Sequence, residues 1–323
     1  MLRRTFTALA LAACTAASAL AQDFPNRHVT LVMPFSAGGP GDTLARILGQ
    51  GMTKVLGKQV VIENAAGAGS TIGAAKAASA KPDGHTVLMN HISHATNPAL
   101  YRNLRYNTEA DFEPIGLVAD LPSAFVARKD FPANDFAEFL AYVKANKDKL
   151  NYGHAGTGSA SHLCGLLFFS TIQTQVTTVP YKGTGPAMND LMGGQIDFMC
   201  DQIVNVMSPI KGGKIKPYAV TSPARAEALP NLPTAAEAGL PGFEVSIWYA
   251  MFAPKGTPKP VIDKLVAALN EALKDPEVKS RFADLGAVAA GPDRANPEFL
   301  RAHVKSEIER WGAVIRAAGV YAE

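Results

Sequence analysis

Two turns built from small residues carry the chemistry that this chain is equipped to do. The first, Met33-Pro34-Phe35-Ser36-Ala37-Gly38-Gly39-Pro40-Gly41-Asp42, leaves an apolar run at 28–33 that reads as a buried strand and enters a helix predicted over 42–56. The second, Gly153-His154-Ala155-Gly156-Thr157-Gly158-Ser159-Ala160-Ser161, joins a predicted strand at 150–154 to a predicted helix at 160–171. A strand that passes through such a turn into a helix leaves backbone N–H groups unpaired around one spot, where the helix dipole adds partial positive charge. That spot binds anions. Two of them could hold the two ends of one ligand, each charge-assisted hydrogen bond adding about 1.5–3 kcal/mol. The blander reading is that the glycines merely permit tight turns.

Phosphate and catalytic fingerprints fail in turn. G-x-G-x-x-G from Gly39 would need glycine where Leu44 stands, and the glycine of a Walker A loop is replaced by Met52 before Gly57-Lys58 and by Ser208 before Gly213-Lys214. No G-x-S-x-G surrounds Ser36, Ser159 or Ser161, and there is no H-E-x-x-H. His162 and Cys164 are two apart on a predicted helix and so do not face each other. No catalytic residue, metal site or cofactor is expected. His91, Ser93 and His94 follow a third predicted strand at 85–90, where an imidazole could hydrogen-bond or stack on a ligand; the spacing of the two histidines finds no helix to carry it, because Pro98 follows. Tyr181, Asp201 and Trp248 also fall at strand ends or crossovers, and Phe35 and Trp248 could wall a pocket.

The elements that must position these residues alternate. Strand and helix succeed one another through the first hundred residues, with strands at 28–33, 59–63 and 85–90 and helices at 42–56 and 71–80, which predicts a parallel sheet covered on both faces. Its ligand edge would be formed by the loops 34–41, 64–70 and 91–97. A long extended stretch at 114–128, broken at Pro122, opens a second alternating series with helices at 134–146, 160–171 and 186–192 and strands at 150–154, 176–180 and 195–200. Another extended stretch at 243–254 leads to three amphipathic helices at 260–273, 276–285 and 297–317. The two extended stretches read as crossovers between two α/β lobes, the second inserted into the first, with a cleft between them.

Composition is compatible with that plan: 323 residues, 47% hydrophobic and 18% charged, with no spanning apolar run once the N-terminus is set aside. Met1-Leu2-Arg3-Arg4, an apolar run from Phe6 and Ala19-Leu20-Ala21 form the three parts of a secretory signal over residues 1–21, placing the mature start near Gln22. Reading Leu11-Ala12-Ala13-Cys14 as a lipoprotein box would instead tether the chain at Cys14. Removing residues 1–21 lowers the formal charge from +3 to +1, with 29 basic against 28 acidic residues, so no nucleic-acid partner is expected. Cys164 and Cys200 each sit in an apolar run and are expected as buried free thiols, although an oxidising compartment would let them pair.

A series of segments then fits one known family along essentially the whole mature chain. They are Val32-Met33-Pro34-Phe35-Ser36-Ala37-Gly38-Gly39-Pro40 with Asp42, Val61-Ile62-Glu63-Asn64 with Gly67-Ala68-Gly69, Lys81-Pro82-Asp83-Gly84, Asn97-Pro98-Ala99-Leu100-Tyr101, Gly156-Thr157-Gly158-Ser159 with His162-Leu163, Val179-Pro180-Tyr181-Lys182-Gly183, Leu232-Pro233-Thr234 with Glu237-Ala238-Gly239, and Trp311. In these the chain resembles the extracytoplasmic solute receptors of tripartite tricarboxylate transport systems, the Bug proteins. The resemblance implies an α/β, two-lobed periplasmic binding protein of type II, each lobe a sheet flanked by helices, with two crossover strands. It would act as a monomer in the periplasm, close around a carboxylate and hand it to a membrane permease. The expected division is 22–122 with 250–323 for lobe 1 and 123–249 for lobe 2.

Within that plan the first carboxylate falls to Ser36, Ala37, Gly38 and Gly39, and the second to Thr157, Gly158 and Ser159 with help from Ser161. Asp42 is expected to cap its helix. With no arginine in either turn, charge would be met by amide dipoles and bridging waters. His91-Ile92-Ser93-His94 and Phe198-Met199-Cys200-Asp201 depart from the family pattern, and ligand choice is expected there, with Tyr181 nearby. Imidazoles at 91 and 94 beside Phe35 suit a flat aromatic dicarboxylate such as terephthalate, while an aliphatic one stays open. Rival readings are a secreted enzyme of the same fold using His94, Cys164 or Asp201, and a receptor that reports to a sensor kinase.

Overall fold

The computed structural model describes residues 24–322, so the expected signal segment 1–21 and Cys14 lie outside the described residues. The first lobe begins with β1 (Val29–Met33), α1 (Pro40–Leu56), β2 (Val60–Asn64), α2 (Thr71–Ala78) and β3 (Thr86–His91). Helix α1 forms because Leu44, Ile47, Leu48 and Met52 repeat at helical spacing on its buried face, and it stops at Gly57, whose φ of +66° takes the left-handed cap that other residues resist. Strands β2, β1 and β3 pair in parallel, as the alternation predicts.

The loop expected at 91–97 is instead helix α3 (Ser93–Leu100), with Pro98 inside it. The proline removes one i→i−4 bond, and burial of six of the eight residues offsets that loss.

Strand β4 (Phe112–Arg128) runs straight through Pro122 and belongs to both lobes. Its first part pairs antiparallel with β9 (Ser246–Pro254) as far as Pro122↔Ser246. From Ser123 onward it pairs with β7 (Phe198–Gln202), and from Ala124 with β8 (Ile215–Val220). Proline's missing donor falls where the strand changes partners, so no sheet bond is lost. Strand β9 is antiparallel to β3 as well, through His91↔Tyr249 to Leu88↔Phe252. Each lobe is therefore a mixed sheet, and the two crossovers lie side by side.

The second lobe contains α4 (Phe136–Ala145), β5 (Asn151–His154), α5 (Ala160–Ile172), β6 (Thr177–Pro180), α6 (Thr184–Met192), β7, α7 (Ile203–Lys211) and β8. The sequence reading missed α7 and β8. Pro209 and Pro217 interrupt both runs, and β8 tolerates its proline because β4 is its one strand partner among the described elements, the bridge on its other side involving Val220 and not Pro217. Rings pack the core of this lobe, with Phe125 and Phe168 centroids 4.7 Å apart and Phe139 and Tyr218 4.7 Å apart. Three helices, α8 (Lys259–Lys274), α9 (Pro276–Asp284) and α10 (Pro297–Ala318), return to the first lobe, with the short strand β10 (Val288–Ala289) between the last two.

Cys164 on α5 and Cys200 on β7 form a disulfide, with Cα atoms 6.1 Å apart, which corrects the free-thiol expectation. The apolar runs that hold the two cysteines are the inward faces of elements packed on each other, so burial itself brings the sulfurs together. An oxidising compartment suits such a bond.

Candidate functional site

At the first turn the chain leaves β1 at Met33 and enters α1 with Gly39 as N-cap and Pro40 as first helical residue, a position where proline's missing N–H costs nothing. Gly38, at φ +78°, aims its amide at Oδ2 of Asp42, 2.9 Å away. Asp42 also accepts from Arg46 Nε at 2.9 Å and from Asn64 Nδ2 at 3.0 Å, and that Asn64 amide group donates to the Phe35 carbonyl as well. Burial pushes the Asp42 carboxyl upward, but the hydrogen bonds from Arg46, Gly38 and Asn64 more than offset this and hold it below its usual range. Asp42 thus braces the loop ahead of its helix, while the N-cap itself has no side-chain bond. Because Gly38 is spent on Asp42 and the Gly39 amide bonds to the Ser36 carbonyl at 3.3 Å, the expectation that all four amides face a ligand is corrected. Of those four amides, Ser36 and Ala37 are the two with no partner among the described residues.

The second turn repeats the device with different chemistry. Gly158, at φ +80°, donates its amide to Nδ1 of His162 at 3.3 Å, again one helical turn ahead. An imidazole nitrogen that accepts an N–H bond carries no proton. Burial, with His154 at 4.8 Å between ring centroids, pushes His162 down to about 4 and keeps it neutral. Ser159 caps α5 by accepting from the His162 amide at 3.2 Å, and Ser161 Oγ accepts from the Ala155 amide at 2.9 Å. The Thr157 amide and hydroxyl have no partner among the described residues, and the Ala160 and Ser161 amides belong to the unpaired first turn of α5.

Between the two turns lies a floor of side chains in mutual contact. Phe35 stacks on His91 at 4.2 Å, and His91 meets the edge of Tyr249 at 5.5 Å. Tyr249 donates its hydroxyl to Gln202 Oε1 at 3.1 Å. The Gln202 amide donates to Asp201 Oδ1 at 2.9 Å, and Asn205 Nδ2 donates to Asp201 Oδ2 at 3.0 Å and to Thr184 Oγ1 at 2.9 Å. His91 Nδ1 accepts from the Ser93 amide at 2.9 Å, so the ring carries its hydrogen on Nε2, which has no partner among the described residues. Burial pushes His91 down to about 3, leaving a neutral donor. Asp201 is fully buried; burial pushes its carboxyl up to about 7, against the two hydrogen bonds that favour the charged form.

These elements enclose one cleft of about 1050 Å³. Of the site residues expected from sequence, Phe35, Ser36, Ala37, Gly38, Gly39, His91, Thr157, Ser159, Ser161, Tyr181 and Asp201 line it. Ser93, His94 and Gly158 do not, which corrects their assignment to the wall. Ser93 lies behind the wall, bonded to Ser70 Oγ at 2.7 Å and to Asn90 Oδ1 at 3.0 Å. His94, the second residue of α3, faces a cage of Tyr106, Phe112 and Phe252. Gly158 is turned toward the first lobe, with Gly69 Cα 3.6 Å from where its Cβ would stand. Trp248 faces away from the cleft and donates to Glu307 at 3.0 Å. Gln202, Asn205, Tyr249 and Lys182 line the cleft without having been singled out. Asn205 is the third residue of α7, a helix the sequence reading did not find, so its approach to Asp201 on β7 was not legible. Tyr181 spends its hydroxyl on Asp190 at 2.7 Å, so its contribution is a wall and not a free donor.

The lobes touch across the cleft. A Cβ on Gly69, whose φ is +56°, would stand 2.8 Å from the Thr157 carbonyl and 2.6 Å from the Tyr101 hydroxyl. Among the described residues no group of three or more His, Cys, Asp or Glu side chains could hold a metal ion, and no helix is long and apolar enough to cross a membrane.

The family model described as the tripartite tricarboxylate transporter family receptor, TctC, matches residues 44–320. A protein of Agrobacterium vitis encoded in the TAR-I ttuE-ttuC' intergenic region is 49% identical over 302 residues, covering 93% of this chain and 87% of that one. The solved structure of the periplasmic binding protein BugD is 49% identical with a TM-score of 0.88, covering 93% of this chain and all of that one. MatC from Rhodopseudomonas palustris, solved with bound malate, is 45% identical with a TM-score of 0.86, covering 90% of this chain and all of that one.

Proposed function

We propose a transport role on one premise: the chain belongs to the tripartite tricarboxylate transporter receptor family, as an extracytoplasmic solute receptor of the Bug group and not an enzyme. It captures a dicarboxylate by lobe closure and delivers it to a membrane permease of the tripartite type. The observation that carries this reading is the pair of strand–turn–helix amide sites opening on one cleft, Ser36 and Ala37 on one side and Thr157 with the first turn of α5 on the other. Each meets a carboxylate with neutral donors, which complete an anion's hydrogen bonds without a full countercharge. Malate in the MatC relative is a ligand of this class.

The mature chain begins near Gln22 in the periplasm and acts as a monomer. Residues 22–122 and 250–323 form one lobe and 123–249 the other, with rotation about the side-by-side strands β4 and β9 closing the cleft. An aromatic dicarboxylate such as terephthalate has less support than an aliphatic one, because Phe35 and His91 spend ring faces on each other.

A thermal-shift screen of mono-, di- and tricarboxylates tests the reading. A ligand at 100 times its dissociation constant adds about 2.7 kcal/mol of stability, a shift of several degrees. Silence from every carboxylate would sink it.

A further inference from the structure

Asp201 puts a carboxyl group into a cleft built for anions. It is 1% exposed, lies at the end of β7, and lines the cleft between the two amide sites. Each of its oxygens accepts one N–H bond, from the Gln202 amide and from Asn205 Nδ2, and no cation among the described residues pairs with it. The ionisable groups around it are the hydroxyls of Tyr152 and Tyr249, which burial keeps neutral. His91 is neutral too, and Lys182 stands on the exposed rim of the cleft.

A plain dicarboxylate laid between the two turns would set a third acceptor-only group beside two others. Each carboxylate oxygen has capacity for a second hydrogen bond. Nothing in the protein fills it, and burying an acceptor unmet is costly. What completes the set is a donor on the ligand itself.

We propose that Asp201 reads a hydroxyl or amino group carried on the carbon skeleton between the ligand's two carboxylates, so that the receptor selects substituted over plain dicarboxylates. This rests on the dicarboxylate-receptor reading and narrows it. Discrimination of this kind is strong because the competitor lacking the donor leaves a buried polar group unpaired.

The test is titration calorimetry at pH 8 with matched ligands, succinate against malate and aspartate, and adipate against 2-aminoadipate, on the full mature chain and on Asp201→Asn. In the unaltered protein the best substituted ligand should bind at least tenfold more tightly than its plain partner, and Asp201→Asn should close most of that gap while still binding the plain one. The comparison within the unaltered protein stands even if the variant fails to fold. Equal affinity for plain and substituted ligands, or a gap that survives in a folded Asp201→Asn, overturns the proposal. So does tight succinate or adipate binding with proton uptake, seen as an enthalpy that varies with buffer, since Asp201 would then act as an acid donating to a carboxylate. Either result leaves the receptor reading intact; failure of every carboxylate to bind would instead remove that reading and this one with it.

Discussion

Tyr249 and Gln202 are joined by a 3.1 Å hydrogen bond from the tyrosine hydroxyl to Oε1, linking a crossover strand to the strand end that carries Asp201. The bond fixes the orientation of the Gln202 side-chain amide, so that its N–H₂ is left to the cleft. Tyr249→Phe removes one buried bond and frees that amide to turn. We expect a stability loss of about 1 kcal/mol and dicarboxylate affinity weakened about five- to tenfold. Chemical denaturation and calorimetry check both, and a variant indistinguishable in both would show that the bond has no positioning role.

Gly69 lies across the cleft against the backbone of Thr157, with room for hydrogen only. Gly69→Ala should therefore weaken ligand binding at least tenfold. Gly213→Ala is the control, since its φ of +61° is close to that of Gly69 but it meets nothing within 4 Å and lies off the cleft. Both variants carry similar backbone strain, so equal affinities in the two would refute a cross-cleft contact.

The Cys164–Cys200 bond closes a loop with a sequence separation of 36 and ties α5, the helix of the second turn, to β7, which bears Asp201. Loop-closure entropy for that length predicts a loss of about 3–4 kcal/mol in Cys164→Ala/Cys200→Ala. Urea unfolding of the variant, set beside that of the parent with and without reductant, measures it. A change below about 1 kcal/mol would mean that the denatured chain is not constrained by the bond.

Burial lowers the pKa of six histidines, His85, His154 and His303 among them, and lowers His162 to about 4 and His91 and His94 to about 3. In the unfolded chain they titrate near 6.5. The unfolded state therefore binds protons first as pH falls, so stability is full above about 6.5 and declines from there toward 4, each histidine contributing a slope of up to about 1.4 kcal/mol per pH unit. Neither nitrogen of His94 has a hydrogen-bond partner, and the backbone of Thr108 only partly opposes the downward shift. His94→Phe, set among rings already stacked at 4.2 Å on Phe252, should raise stability by about 1–3 kcal/mol at pH 7.5 and by more at pH 5. Melting points at the two pH values decide it; a lower midpoint at pH 5 would refute the orphaned-imidazole account.

Much of the plan was legible because it is local. Apolar spacing of 3.6 or 2 marks the strands and helices of the first ninety residues and the three closing helices, and glycine punctuates several of their ends. Both anion turns could be read from small residues between a strand and a helix. Their internal bonding could not, since which amides stay open depends on where Asp42 and His162 turn their side chains.

The sequence by itself determined the alternation of elements, the two turns and the family pattern, all properties of residues close together along the chain. Only the tertiary structure decided which groups meet a ligand. It sent His91 to the cleft and His94, three residues on, into an aromatic cage, because a strand end and a helix turn project side chains to opposite sides of the sheet. It paired two cysteines that read as inert, gave β4 to both lobes through a proline, and set Asp201, Gln202 and Tyr249 beside one another from two strands far apart in the chain. Register and packing between distant segments are fixed by burial summed over the whole molecule, and no short window of residues contains that sum.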